Sequence, residues 1–378
     1  MCPWLARCAS GLSLEGEGSG QLVAARPLTA SLFFIADSFH IVLLRKHDGS
    51  FVIDALVKRL LLIASASLAA LVTLAAAQPA YPSRPIKLIV PYPPAALTDL
   101  LARAIGERLG AALKQPVVVD NKPGAGTLVG AELVAKSPPD GYTLLMATST
   151  TLGISPALYR PSPINPVRDF APIAQLGSVN LFLIANPGFP AKTVAEMIEA
   201  TRLAPGRYNY ASVGSGSPHH LFMEALKAEC GVEIQHVPYK GTPAALTDLL
   251  AGQIQVMFAD ATVAVPNIQA GKVVALGTSA AKGSTLLPAV PPIAATVSGY
   301  DWQAWQGIVA PAGTPREIVG RLAEELQRIQ SSADFREHLH KFGMEPSPSN
   351  TPAEFAAIIA GEQPRWAKAI KESGAKVD

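Results

Sequence analysis

From residue 86 onward, short continuous apolar runs alternate with longer stretches in which apolar residues recur every three or four positions. The short runs at 86–90, 117–119, 143–147, 181–185, 208–211, 234–237, 254–258 and 273–277 predict buried strands. Between them, 98–113, 128–136, 194–203, 219–229, 244–251 and 263–270 predict helices. In the first helix Leu101, Ile105 and Leu109 fall four apart on one face. Strand and helix in alternation predict an α/β fold with a mainly parallel sheet covered on both faces. Past residue 310 the pattern turns helical, at 318–329, 333–342 and 352–371, with Gly313-Thr314-Pro315 and residues 349–352 supplying helix starts.

Upstream of residue 81 the pattern differs. Lys58 and Arg59 precede an apolar run from Leu60 to Leu74 that closes in Ala75, Ala76 and Ala77. This is the order of a basic n-region, an apolar h-region and a small-residue cleavage site. Residues 57–77 therefore read as a cleavable signal peptide, 1–56 as an upstream extension outside the fold, and the mature protein as periplasmic. Translation is expected to start near Val57, although no Met occurs between Met1 and Met146. The run 60–77 is near the lower length limit for a membrane span, so a retained anchor is the rival reading. Ser65, Ser67 and Thr73 weaken that rival, and no Cys stands at the cleavage point for lipid attachment.

Composition narrows the function classes. Residues 81–378 carry 25 Lys and Arg against 24 Asp and Glu, a balance with no electrostatic footprint for nucleic acid. Cys230 is the one cysteine of this segment, which excludes a disulfide framework or a Cys metal cluster. Its five histidines, His219, His220, His236, His338 and His340, have no metal-ligand spacing, so no metal or other cofactor is expected.

One nine-residue segment, P-A-A-L-T-D-L-L-A, occurs at 94–102 and again at 243–251, each time after a Pro-Tyr pair. Coincidence in an Ala- and Leu-rich chain is one account. The other is that two similar α/β lobes each present a helix N-terminus, and opposed N-termini across a cleft attract anions.

The motifs Tyr81-Pro82-Ser83-Arg84-Pro85-Ile86, Val90-Pro91-Tyr92-Pro93-Pro94 and Thr98-Asp99 are followed by Asn121-Lys122-Pro123-Gly124-Ala125-Gly126 and Pro138-Pro139-Asp140-Gly141-Tyr142-Thr143-Leu144. Further on come His236-Val237-Pro238-Tyr239-Lys240-Gly241, Ala310-Pro311-Ala312-Gly313-Thr314-Pro315 and Trp366-Ala367-Lys368. Together they resemble the Bug-type (TctC-type) extracytoplasmic substrate-binding proteins of tripartite tricarboxylate transporters. The resemblance implies a type II periplasmic-binding-protein fold, in which two α/β lobes joined by crossing strands close on a small ligand, usually a carboxylate. Lobe 1 would comprise 78–179 and 300–378, and lobe 2 180–299. Integral membrane transporter subunits are the implied partners, with a monomeric receptor expected.

Ligands of open α/β sheets sit beyond the carboxyl ends of the strands. Four loops there combine small residues, hydroxyls and helix starts: 93–99, 147–151, 212–217 and 258–262. None contains Arg or Lys. An anion would thus be met by backbone N–H groups, hydroxyls and helix dipoles. The candidate ligand-binding residues are Thr98, Asp99, Thr148, Ser149, Thr150, Ser212, Gly214, Ser215, Gly216, Ser217 and Asp260. Thr148, Ser149 and Thr150 also read as helix N-caps, and Asp99 equally as an acid steadying a first helical turn. The glycines of 212–217 let backbone N–H groups approach a ligand at a helix start. Asp260 resembles a position that varies between Asp and Asn in the family. Ala95-Ala96 stands where the family usually has Gly-Gly, which puts a left-handed turn there in doubt.

Two rival functions remain. A hydrolase would use Ser217 and His220 at i, i+3, but the G-x-S-x-G elbow and a completing acid are missing. A ligand-presenting sensor for a membrane receptor would keep the same binding fold.

Overall fold

The computed structural model describes residues 59–63, 65, 81–347 and 351–376. Contacts divide the chain between Gln78 and Pro79. Upstream of that division residues 59–63 and 65 are helical and exposed. The rest of the predicted signal peptide and the whole extension 1–56 lie outside the described residues. Among the described residues no helix is long and apolar enough to cross a membrane.

From Pro79 the chain builds two mixed sheets. The first is made by β1 (Ile86–Val90), β2 (Val117–Asn121), β3 (Thr143–Thr148), β4 (Phe170–Val179), β10 (Ala304–Pro311) and β11 (Glu345–Pro346), in the order β11-β4-β10-β3-β1-β2. The second is made by β5 (Leu181–Ala185), β6 (Asn209–Ser212), β7 (Gln235–Pro238), β8 (Val256–Asp260) and β9 (Val274–Thr278), in the order β7-β6-β8-β5-β9. Both repeat one plan. A first strand lies between two parallel neighbours, β1 between β2 and β3, and β6 between β7 and β8. An antiparallel strand is then inserted beside the third, β10 next to β3 and β5 next to β8.

The inserted strands belong to the crossings between lobes. Asn180 alone separates β4 from β5, and residues 279–303 carry the chain back from β9 to β10. The expected mainly parallel sheet is therefore corrected to two mixed sheets, antiparallel along β11-β4-β10-β3 in the first and along β8-β5-β9 in the second. The pattern at 86–90 identified β1 because Ile86, Leu88, Ile89 and Val90 are all buried. It missed β4 and β10 because Pro172, Gly177, Gly307 and Pro311 interrupt their apolar runs.

Helices cover the sheets: α1 (Leu97–Leu113), α2 (Leu128–Ala135), α3 (Ser155–Leu158), α4 (Val194–Leu203), α5 (Pro218–Cys230), α6 (Thr242–Leu250) and α7 (Ala261–Gln269) follow strands, while α8 (Arg316–Ser331), α9 (Ala333–Lys341) and α10 (Pro352–Ser373) form the tail. α10 opens on a reciprocal capping box between Thr351 and Glu354. It then packs against α5 of the second lobe, where Trp366 stacks on Phe222 at 6.1 Å and meets Trp302 edge-on at 4.8 Å. One apolar core thus runs through both lobes behind the cleft.

The repeated nine residues do not mark equivalent places in the two lobes. The first copy follows β1, whereas the second follows β7, the counterpart of β2. The two lobes exist, and the repeat is not their signature.

Candidate ligand-binding site

The four predicted loops follow the carboxyl ends of β1, β3, β6 and β8, two in each sheet. The lobes touch there: a Cβ on Gly216 would lie 2.8 Å from Leu158 Cδ2, and one on Gly343 would lie 3.1 Å from Ala261 Cβ.

In the first loop Ala95 takes a left-handed conformation, φ 66°, in spite of lacking the family's glycine. Such a backbone costs about 1 kcal/mol for a residue with a Cβ, and Asp99 offsets it. Asp99 Oδ2 accepts the Ala95 N–H at 2.8 Å and Arg103 Nε at 3.0 Å, while Oδ1 accepts Asn121 Nδ2 at 2.9 Å. Burial works to raise the Asp99 carboxyl, but Arg103, the Ala95 N–H and Asn121 outweigh it and hold the group below its usual range. Its acceptor capacity is spent on the loop. Thr98 beside it is buried, and no side chain caps α1 at Ala96.

At the second loop Thr148 is a hydrogen-bonding hub. Its Oγ1 lies 3.1 Å from Tyr92 Oη and 3.0 Å from Thr151 Oγ1, and accepts the Thr151 N–H at 3.1 Å. Burial pushes the Tyr92 phenol up, so it stays neutral although the threonine hydroxyls work the other way. Ser149 is buried and Thr150 half-buried, and Thr150–Ile154 forms a π-helical turn, a feature common at functional sites.

The third loop is tied at both ends. Ser212 is buried, and its Oγ lies 2.6 Å from His236 Nε2. The Gly216 N–H donates to His220 Nδ1 at 3.0 Å. Gly214 at φ 123° and Gly216 at φ 76° supply backbone that other residues rarely adopt, with Ser215 half-buried between them. Ser217 caps α5 by accepting the His220 N–H at 3.3 Å, and its hydroxyl donates to the Gly214 carbonyl at 2.7 Å. His220 and His236 stack with centroids 4.0 Å apart. Burial, helped by the charge of His236, pushes His220 down to about 4, and burial lowers His236 as well. Both rings are therefore neutral at pH 7. The Ser217 hydroxyl meets the His220 backbone and not its ring, whose Nδ1 already accepts from Gly216, so the pair lacks the contact a nucleophile and base require.

At the fourth loop Asp260 ends β8 and starts α7 without capping it. Its Oδ2 is 3.3 Å from His219 Nε2. Burial would raise this carboxyl, and His219 outweighs it, so the group is held low.

The sequence pattern overlooked two polar groups beside the cleft. Gln306 stands opposite Thr148 in the ladder, and Asn180 is the crossing residue. Both side chains are buried, and Gln306 Oε1 and Asn180 Oδ1 have no hydrogen-bond partner. They sit on or next to the crossing strands that the apolar pattern failed to reveal.

Comparison with known proteins agrees with this architecture. The sequence profile described as "Tripartite tricarboxylate transporter family receptor" matches residues 101–375. A Pseudomonas sp. protein described as the UPF0065 protein in the tcbD-tcbE intergenic region is 36% identical over 78% of this chain and 87% of its own length. Protein BugT of Bordetella pertussis is 34% identical over 79% of this chain and 91% of its own. Among solved structures, an R. palustris protein with adipate is 33% identical with TM-score 0.65, covering 79% of this chain and 100% of that one. MatC from Rhodopseudomonas palustris with bound malate is 31% identical with TM-score 0.62, covering 77% and 100%.

Proposed function

This chain belongs to the tripartite tricarboxylate transporter receptor family, and from that premise we propose that it is a periplasmic solute-binding protein for a small carboxylated metabolite. Its lobes close on the ligand and then present it to integral membrane subunits of a transporter. The observation that carries this reading is the set of strand-end loops that contain no Arg or Lys of their own: the uncapped start of α1, the glycine loop before α5 and the threonine cluster after β3. Two solved relatives hold adipate and malate, which supports a carboxylate as the ligand class.

An anion in this cleft is held by neutral donors. Each charge-assisted bond contributes about 1.5–3 kcal/mol, and helix N-termini add up to about 2 kcal/mol in partly buried geometry. Because the lobes already meet at Gly216 and Gly343, a ligand bridging both stabilises the closed arrangement by its differential affinity for it.

A thermal-shift series with di- and tricarboxylates, aromatic acids, acidic amino acids and neutral vitamins tests the proposal. A ligand at 100 times its Kd stabilises the folded state by about 2.7 kcal/mol. A saturable shift with an acid is the expected result. A shift with neutral compounds alone would overturn the carboxylate assignment.

A further inference from the structure

Two acids stand at the cleft, and their surroundings differ. The Asp99 carboxylate is 2% exposed and engaged by Ala95, Arg103 and Asn121. The Asp260 side chain is 36% exposed, and His219 Nε2 lies 3.3 Å from its Oδ2. In the ladder Asp260 pairs with Leu181, the residue that follows Asn180 at the crossing. Lobe 1 reaches the same spot, since Gly343 packs on Ala261 and Thr262. A ligand trapped between the lobes therefore meets this carboxylate on the hinge side of the cleft.

Asn180 Oδ1 and Gln306 Oε1 are buried acceptors without a hydrogen-bond partner, and Thr278 Oγ1 at the end of β9 and Trp302 Nε1 on the return crossing are unpartnered as well. His219 beside Asp260 is 7% exposed, and neither of its ring nitrogens has a hydrogen-bond partner, although Nε2 lies 3.3 Å from Asp260 Oδ2. The partly exposed Asp260 carboxylate is an anionic acceptor at the end of β8, next to the crossing. A plain aliphatic di-acid offers that carboxylate nothing to accept and sets charge against charge.

We infer that Asp260 makes the site selective for an acid bearing a hydrogen-bond donor, an ammonium or a hydroxyl group, over the matched plain acid, with His219 as the positioning residue for the Asp260 carboxylate. This rests on the carboxylate-binding reading above. It narrows the ligand class to amino or hydroxy acids.

Calorimetric titration of the full protein with three matched series tests it: succinate, malate and aspartate; glutarate, 2-hydroxyglutarate and glutamate; propionate, lactate and alanine. In the series that binds, the donor-bearing member should bind about tenfold or more tightly than the plain acid, the worth of one hydrogen bond to a charged group. The order of the amino and hydroxy members tells ammonium from hydroxyl. Asp260→Asn should lower affinity for the preferred member by about tenfold and leave the plain acid unchanged or tighter. His219→Gln should compress the same preference in the same direction, a ratio that a loss of stability alone does not move. The inference is overturned if plain acids bind as tightly as their partners in every series, or if Asp260→Asn weakens all members equally. Binding of no acid at all would overturn both this inference and the carboxylate reading.

Discussion

The segment P-A-A-L-T-D-L-L-A at 94–102 and at 243–251 has one sequence and two structures. In the first copy Pro94 and Ala95 form a turn with Ala95 left-handed, and α1 begins only at Leu97. In the second the helix begins at Thr242, and Ala244 and Ala245 lie inside its first turns. The buried face is also exchanged. Leu101 is buried and Leu100 exposed in the first copy, whereas in the second Leu249, the counterpart of Leu100, is buried and Leu250 is exposed. Asp99 is sealed around the Ala95 N–H, while its counterpart Asp248 accepts the Tyr239 hydroxyl at 2.6 Å. The difference follows from what precedes each copy. Gly241 at φ 156° admits a helix start two residues before Ala244, whereas the first copy must carry the chain round from β1 to the cleft.

Exchanging the leucines gives the largest test of that contrast. Leu101→Ala should destabilise by about 3 kcal/mol and Leu250→Ala by about 0.5 or less, and the order reverses for Leu249→Ala against Leu100→Ala. Urea denaturation of the four variants reads the result. Equal losses within each pair would mean that the two copies bury the same face.

Acid titration separates the two lobes next. His220 has a usual value of 6.5, held down to about 4 in the fold. A histidine held neutral stabilises fully above its unfolded value and loses that contribution as pH falls through its folded value. Stability should therefore fall between pH 6.5 and 4, by up to about 2 kcal/mol after allowance for solvent screening, and the melting temperature with it. The Asp99 carboxylate, held below its usual 3.8, keeps its contribution over that window and loses it only as pH falls further. His220→Gln should flatten the upper part of the profile and leave the lower part in place. An unchanged upper limb would remove the histidine stack as its cause.

The smallest effect has opposite signs in the two copies. Ala95→Gly should stabilise by about 1 kcal/mol because glycine adopts the left-handed turn without strain, while Ala244→Gly should destabilise by about 1 kcal/mol within a helix. The same substitution in the same nine residues then changes sign between copies, which thermal melts resolve.

Much of the molecule was legible from pattern alone. The strand-helix units had clear periods, and the four loops stood out because they follow strands and combine small residues, hydroxyls and helix starts. Two kinds of information were missing. Gln306 and Asn180 lie on or beside crossing strands whose apolar runs are broken, and the contact of Ser212 with His236 exists only because β6 and β7 pair in the observed register. Asp99 and Asp260 looked alike as acids near helix starts. Arg103 and Asn121 close over the one, and His219 leaves the other partly open.

The sequence by itself determined the α/β alternation, the cap of α5 at Ser217, the capping box of α10 and four strand-end loops without Arg or Lys. Each depends on residues within a few turns of one another, where period and capping chemistry act. Only the tertiary structure decided which face of the repeated segment turned inward, that the sheets are mixed, and which of the two acids stays partly exposed. Those outcomes depend on partners distant in the chain, such as Gly343 against Ala261 or Thr148 against Gln306, and burial at such contacts outweighs local preference.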